Sequence, residues 1–383
     1  MIPTTINARN DSFMGHYTFP SGDVYWVSQR LLNVKKILDH KWVYGDYIVA
    51  STENINGTYS MWQSNTLGRT WANRLTISRK IVVFTTYDLG HIIMFTDNNK
   101  MYESKNSGYS YTLKSSDAPN ALDVAVTTPI GSSSGNFTRD IVTHNGDSLS
   151  LSQDLGNSFI QTLDLSDNYT QSELLHPAVA ISGSNVLASA GSDILQSSFS
   201  GDIGTWSVYS SFGERQYVRY LCSSYRINSP SYIGITDNRP NNNSGVYHSE
   251  EATSWNNTLI LAAVPKNKPT GYSIKTNTGD LLAYYIMNIR IPKSGFDQIL
   301  YKRWKNAIHP KSGAGYNDWV AARPVISTST ALVNVSAVTT DGGRTWEIAQ
   351  ENTPMNFTVG RQSSLMTEYD NSNAYSGGGI YGY

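Results

Sequence analysis

Short runs of alternating apolar and polar residues, each closed by turn-forming residues, recur along most of the chain. Between Ile81 and Lys114 the runs IVVFTTY, HIIMFTD and KMYES are followed by a turn and then by YTL. β-Branched and aromatic residues at a period of two predict strands, and Gly, Asn, Asp and Ser at the junctions predict tight connections. The next stretch repeats the plan with ALDVAV, RDIVTH, SLSLS, a turn and FIQTL. Each repeat thus carries four short strands in meander order.

The turn before the fourth strand has its own signature: a small hydroxylated residue, Asp or Asn two positions later, Gly two after that and an aromatic three further on. Two copies are complete, Ser152, Asp154, Gly156 and Phe159, and Thr339, Asp341, Gly343 and Trp346. Two are near-complete: Ser64, Gly68 and Trp71 with Thr66 in the acid's place, and Ser104, Asn106, Gly108 and Tyr111. Degenerate relatives occupy Ser198 to Trp206 and Ser249 to Trp255, and a last position near Tyr301 to Trp304 keeps only the aromatic. In such a turn the Asp or Asn accepts backbone N–H groups, the hydroxyl adds a further bond and Gly takes the positive φ that closes the loop. The aromatic then opens the fourth strand and packs into the sheet.

With Gly68, Gly108, Gly156 and Gly204 as markers the spacings are 40, 48 and 48 residues; a further 48 reaches Ala252, and Gly343 lies 91 beyond it, two periods. A period of about 40 to 48 residues with four strands each reads as a β-propeller. The expected fold is all-β, a seven-bladed propeller of four-stranded antiparallel blades at about 41 to 76, 81 to 113, 121 to 163, 176 to 210, 218 to 261, 271 to 307 and 320 to 349. Residues 1–40 are expected as an extension with a blade-closing strand at Tyr17 to Phe19 or Val24 to Ser28, 41–350 as the propeller, and 351–383 as a Gly/Tyr-rich arm. These turns resemble the Asp-box, or bacterial-neuraminidase repeat, family, whose motif is S/T-x-D-x-G-x-T/S-W/F. The resemblance implies a sialidase-like fold in which the boxes are structural and lie on the rim, so that Asp154 and Asp341 are not catalytic.

Composition narrows the function. Of 383 residues only 15 % are charged, 11 % are aromatic with 25 Tyr, and the net charge is −1, which supplies no global field for nucleic acid or an anionic membrane. A single cysteine, Cys222, excludes an internal disulfide framework and any zinc cluster of several thiolates. On the inner strand VRYLCSSY it reads as a buried small residue. The N-terminus has no basic segment followed by an apolar one, and no run of 18 apolar residues occurs, so neither Sec export nor membrane insertion is expected. Eight N-glycosylation sequons accord with the abundance of Asn, Ser and Thr and do not mark the chain as glycosylated.

Candidate chemistry is sparse. Sialidase-like hydrolysis needs two carboxyls, or a tyrosine with a carboxyl, flanking the glycosidic bond, and the resemblance adds an arginine motif, F/Y-R-I-P, ahead of the first box. The match Arg290-Ile291-Pro292 comes late in the chain and reads as a strand end halted by proline. Asp88, Asp123, Asp140, Asp237, Glu250, Glu251, Asp280 and Asp318 are further carboxylates, which spacing alone does not pair. The seven histidines form no HExxH, and no phosphate loop occurs, so no metal and no cofactor is expected. Tyr, Asn, Ser and Gly suit an adaptable binding surface. The polar loops TDNRPNNNS, with Asp237, Arg239 and Asn241, and KSGAGYNDW, with Tyr316 and Trp319, are the candidate binding loops.

The leading expectation is a non-catalytic binding or structural propeller, a virion tail or spike component that contacts a host-surface glycan or neighbouring subunits, with the arm at 351–383 suited to homo-oligomer or virion assembly. Its location would be the virion or the extracellular space, or the cytoplasm if the protein is not viral. The alternatives are a sialidase-like glycoside hydrolase with degenerate motifs and a protein-binding assembly scaffold.

Overall fold

The structure, a computed structural model, describes the chain from residue 12 to 382 apart from segments of which the longest are 17–26, 127–139, 302–316, 318–324, 349–364 and 370–377. Its strands form four-stranded sheets arranged as a β-propeller. The first blade holds β3 (Val34–Tyr44), β4 (Tyr47–Asn54), β5 (Tyr59–Ser64) and β6 (Ala72–Ile77). The second holds β7 (Ile81–Tyr87), β8 (His91–Thr96), β9 (Met101–Ser104) and β10 (Thr112–Ser115). The third comprises β11 (Asp123–Val126), β12 (Ile141–His144), β13 (Ser148–Ser152) and β14 (Ile160–Asp164), and the fourth β15 (Val179–Ser182), β16 (Asn185–Ala190), β17 (Asp193–Ser197) and β18 (Ser207–Ser211). The fifth has β19 (Gln216–Ser224), β20 (Ser231–Asn238), β21 (Asn243–Ser249) and β22 (Asn256–Leu261).

These five blades, not seven, are continuous antiparallel meanders. The stretches expected as separate blades at 271–307 and 320–349 belong to one sheet, β23 (Thr270–Lys275), β24 (Leu281–Pro292), β25 (Leu332–Thr339) and β26 (Glu347–Ile348), with residues 293–331 inserted between its second and third strands. An insertion of nearly one period has the same length as a missing blade, so counting glycines did not tell the two apart. The remaining sheet joins β1 (Ser12–His16) and β2 (Val27–Leu31) to β27 (Leu365–Tyr369) and β28 (Gly378–Gly382), and it is not an antiparallel blade because β1 runs parallel to β28. The first blade also starts at Val34, inside the stretch 1–40 expected as an extension.

The first strands line the axis: β3 touches β7, then β11, β15, β19 and β23 follow in turn, and β23 returns to β3. The terminal sheet packs against β24 and β25 on one side and β3 on the other. Burial grades outward from the middle strands. Every residue of β13 is buried, as are all of β8 and β16 but the first, whereas the fourth strands β14 and β18 are mostly exposed. A middle strand is covered on both faces by the adjacent blades, which is why SLSLS and NVLASA use small residues where a one-sided strand would use charged ones.

The core is accordingly interblade. Val49, Met61, Ile81, Phe84, Ile92 and Met94 join blades one and two; Tyr87, Ile93, Phe95, Met101, Val124 and Ile141 join two and three. Val142, Leu151, Val179 and Val186 join three and four, and each such side chain contributes about 1.5 to 3 kcal/mol on burial.

Candidate functional site

The turn motifs show why their residue types recur. In the third blade Ser152 donates its hydroxyl to Asp154 Oδ1 at 2.8 Å and accepts the Gly156 N–H at 2.7 Å, while Ser158 gives Asp154 its N–H at 2.9 Å and its hydroxyl at 2.6 Å. Burial works against the charge, but the hydrogen bonds from Ser158 and Ser152 outweigh it and bring the Asp154 carboxyl down to about 2. Thr339, Asp341, Gly343 and Thr345 repeat the pattern, and Ser104, Asn106, Gly108 and Ser110 reproduce it with an amide. In the first blade Ser64 Oγ accepts the Thr66 N–H at 3.2 Å; Gly68 lies outside the described residues, and Trp71 is buried with Val34, Ile37 and Ile48. Phe159 stacks edge-on to Phe95 at 6.0 Å, Tyr111 packs between blades one and two, and Trp346 packs between β20–β22 and β24–β25.

In the fourth blade the marker glycine is Gly201, not Gly204. Gly201 has φ +92° and donates its N–H to Ser197 Oγ at 3.0 Å, the same four-residue relation as Ser152 to Gly156, whereas a Cβ on Gly204 would meet open space. The turn starts one residue earlier than its sequence suggested. In the fifth blade the turn is shorter and Ala252 itself takes φ +61°.

The glycines wedge one blade against the preceding one. A Cβ on Gly108 would lie 2.6 Å from Val49 Cγ1 in the first blade, and one on Gly343 2.7 Å from Ile233 Cγ1 in the fifth. Gly57 has a similar φ, +78°, but faces open space. Gly108→Ala is therefore expected to cost about 2 kcal/mol more than Gly57→Ala, because the stiff, buried Val49 has no room to yield. Urea midpoints of the two variants check this; equal losses would mean that the wedge carries no energy.

The axis holds the main charged cluster. Asp123, first residue of β11, accepts the Val124 N–H at 2.9 Å on Oδ1, and on Oδ2 both the Val179 N–H at 2.9 Å and Lys268 Nζ at 2.7 Å. Lys268 also donates to the Val179 carbonyl at 3.0 Å. Burial lowers the proton affinity of this ammonium, yet attraction to Asp123, with Cys222 and Asp39 contributing, leaves it raised. On β3, Asp39 accepts the His40 N–H at 2.8 Å and pairs with Lys41 at 3.0 Å, while Lys41 Nζ lies 5.4 Å from the centre of the Phe84 ring.

Tyr220 gives its hydroxyl to the Pro265 carbonyl at 3.2 Å, and burial, with the negative fields of Asp39 and Asp123, pushes its phenol up to about 12. Cys222, buried on β19 as its strand pattern implied, has a thiol pushed up by burial to about 11. The axis thus brings together a tyrosine and two carboxylates, but the tyrosine keeps its proton and each carboxylate is matched to a lysine. This chemistry favours closure of the ring over proton transfer. Of these groups, Asp123 and Cys222 were identified from sequence. Lys268 sits in the connector VPKNKP with no periodicity to place it, and Asp39 and Lys41 were not singled out.

His144 on β12 ties the third blade to the fourth: its Nε2 meets the Ser189 carbonyl at 2.8 Å and its Nδ1 accepts the Gly146 N–H at 3.2 Å, which fixes the proton on Nε2. Arg290 and Ile291 continue β24 to its end at Pro292, as the strand-end reading implied. Of the candidate loops, Asp237 lies within β20 opposite Ser244, and Arg239, Asn241, Tyr316 and Trp319 lie outside the described residues. Among the described residues no group of three His, Cys, Asp or Glu is placed to hold a metal, and no helix is long and apolar enough to cross a membrane.

Clefts open at the rim among the described residues, and two of them lie between neighbouring sheets. One, of about 410 Å³, is polar and lies between the fifth blade and the following sheet, lined by His248, Glu250, Glu251 and Asn256, with Arg344 paired to Glu250. The other, of about 440 Å³, lies between the third and fourth blades, lined by Leu151, Gln153, Asp154, Ile160, Asp202 and Ile203, and Gln153 bridges it to Asp202 at 3.0 Å.

No known family model matches the sequence, and no curated protein does. Solved structures similar to the chain include Sqt1 of Saccharomyces cerevisiae, 10 % identical over 71 % of this chain and 74 % of that one, with a TM-score of 0.49. YCF48 bound to D1 peptide is 11 % identical over 83 % of each chain with a TM-score of 0.43, and the GH74 xyloglucanase of Xanthomonas campestris is 11 % identical over 85 % of this chain and 62 % of that one with 0.45. The neighbours are β-propellers, and at these identities the likeness is one of fold.

Proposed function

We propose that the chain is a non-catalytic binding propeller whose rim engages a protein partner. The observation that carries this reading is the axial lock: Asp123 is committed to two backbone N–H groups and Lys268, so the carboxylate best placed for chemistry holds blades together instead. The partly apolar cleft between the third and fourth blades supports a docking role for the rim. Kinship with the Asp-box propellers is part of the proposal, supported by the bonding of Ser152, Asp154 and Gly156 and of Thr339, Asp341 and Gly343. So is a place in a virion, among neighbouring subunits or against a host glycan, for which the weakly charged, Tyr-rich composition speaks.

The test is incubation with a mixed library of sialylated and neutral glycans, read by mass spectrometry. Every glycan is expected to be recovered at full length. Shortened products would overturn the reading in favour of a glycoside hydrolase, while intact glycans retained by the protein would shift the partner from protein to carbohydrate.

A further inference from the structure

We propose that the cleft between the third and fourth blades binds a partner protein's segment in which arginine stands beside aliphatic side chains. The aliphatic groups cover its floor and the guanidinium meets the carboxylates at its border. The inference rests on the binding reading above and names the chemistry of the partner. Ile160 is 59 % exposed and Ile203 66 %, and they lie with Leu151 between Asp154 and Asp202. Exposed branched side chains grouped in a concave site are unusual on a surface with no partner.

Other junctions of the ring show what such a cleft accepts. At three of them the residue that follows the marker glycine meets the blade before it. After Gly108 comes Tyr109, whose ring lies 4.1 Å from the Arg74 guanidinium of the first blade, and Arg74 Nε also donates to Gln63 at 3.0 Å. After Gly343 comes Arg344, whose Nε donates to Glu250 of the fifth blade at 3.2 Å. After Gly201 comes Asp202, and what the third blade brings to it is the neutral amide of Gln153 at 3.0 Å. Two junctions thus hold a guanidinium of the chain itself, and the third offers carboxylates and aliphatic surface without one. Thr162, three residues beyond Phe159, stands where the first blade has Arg74, three beyond Trp71. Asp154, on the other border, is likewise met by neutral donors, Ser152 and Ser158.

Charge sets the sign of the partner at longer range. From Asp140 to Glu214, the span of the third and fourth blades beyond β11, there are nine acidic residues and no lysine or arginine. The chain as a whole carries −1, so the rest of it carries +8. Near-neutrality conceals an acidic sector, which draws a cationic partner to these two blades and repels an acidic one. Arginine suits the border better than lysine, because its planar fork takes a carboxylate in two bonds and its weak hydration lets it lie against apolar surface.

Fluorescence anisotropy tests this with a short labelled peptide in which arginine alternates with leucine. The parent is expected to bind it at about 50 mM NaCl and to lose about tenfold in affinity at about 500 mM, where the Debye length is a few ångströms. Glutamate in place of each arginine is expected to abolish binding, and serine in place of each leucine to weaken it by about tenfold. Asp154→Asn with Asp202→Asn is expected to weaken the arginine peptide by about tenfold, and the turn tolerates the amide because Asn106 serves in the second blade. Gln153→Arg, at an exposed position, supplies a guanidinium from within, as Arg344 does for Glu250, and is expected to weaken the peptide as much. If the double variant fails to fold, Gln153→Arg alone keeps the comparison decisive. A parent that does not bind the arginine peptide at low salt, a glutamate peptide that binds as well, or variants of unchanged affinity would each overturn the proposal. A parent that ignores the peptide and leaves glycans intact overturns this docking contact alone, whereas glycan shortening overturns the binding reading itself.

Discussion

Replacing Asp123 by alanine is expected to destabilise the protein by about 3 to 5 kcal/mol, the usual loss when one member of a buried ion pair is removed. The side chain is 10 % exposed and holds three donors from three parts of the chain: its own strand, the start of β15 and the connector before β23. Without it the Val124 and Val179 N–H groups lose their acceptor and the Lys268 ammonium loses its counter-charge, keeping only the Val179 carbonyl. Lys268→Met is expected to cost less, about 2 kcal/mol, since the carboxylate keeps its two backbone donors. The double variant should lose less than the sum of the two, because the second substitution removes a group that the first has already stranded. Urea midpoints of the three variants measure this. Additive losses, or an Asp123→Ala protein within about 1 kcal/mol of the parent, would show that the axial pair does not lock the ring, and would remove the support on which the non-catalytic reading stands.

The second large effect is acid destabilisation through two buried imidazoles. Burial holds His144 at about 4 despite its bond to the Ser189 carbonyl, and holds His40 at about 4 against the pull of Asp39; both start from an ordinary value of 6.5. A base whose folded-state value is depressed binds its proton more readily when unfolded. Stability is therefore complete above pH 6.5, falls as the pH drops from 6.5 to 4, and stops falling on their account below that. Each histidine contributes on the order of 3 kcal/mol across this window. A third element lies lower: Asp154, held at about 2 from 3.8, adds stability that is lost only as the pH falls through that range. Chemical unfolding at pH 7, 5.5 and 4 is expected to show the decline, and His144→Gln to halve its slope. A flat profile between pH 7 and 4 would mean that both imidazoles protonate within the fold.

Much of the architecture was legible in the chain because a propeller repeats its physics. Runs such as HIIMFT and SLSLS declare strands covered on both faces, and the Ser-Asp-Gly turns declare their own geometry through hydroxyl and carboxylate bonds local to eight residues. Blade number was not legible, since it depends on whether residues 293–331 build strands or interrupt a sheet, and spacing is blind to that. Gly201 was missed for Gly204 because both follow a serine at a plausible distance, and only the hydrogen bond from the Gly201 N–H to Ser197 separates them. The axial cluster escaped for a different reason. Asp39, Asp123 and Lys268 lie far apart in sequence and meet only when the ring is curved, and pairings of that kind leave no local pattern.

The parallel pairing of β1 with β28 also has a consequence for synthesis. On a ribosome, the five continuous blades can assemble as each meander emerges, since their pairings are nearly all between neighbours in the chain. The circle itself waits, because its closing sheet needs residues 378–382 beside residues 12–16. That sheet joins the two most distant described parts of the chain, so it forms later than any of the five blades, whose strands follow one another directly.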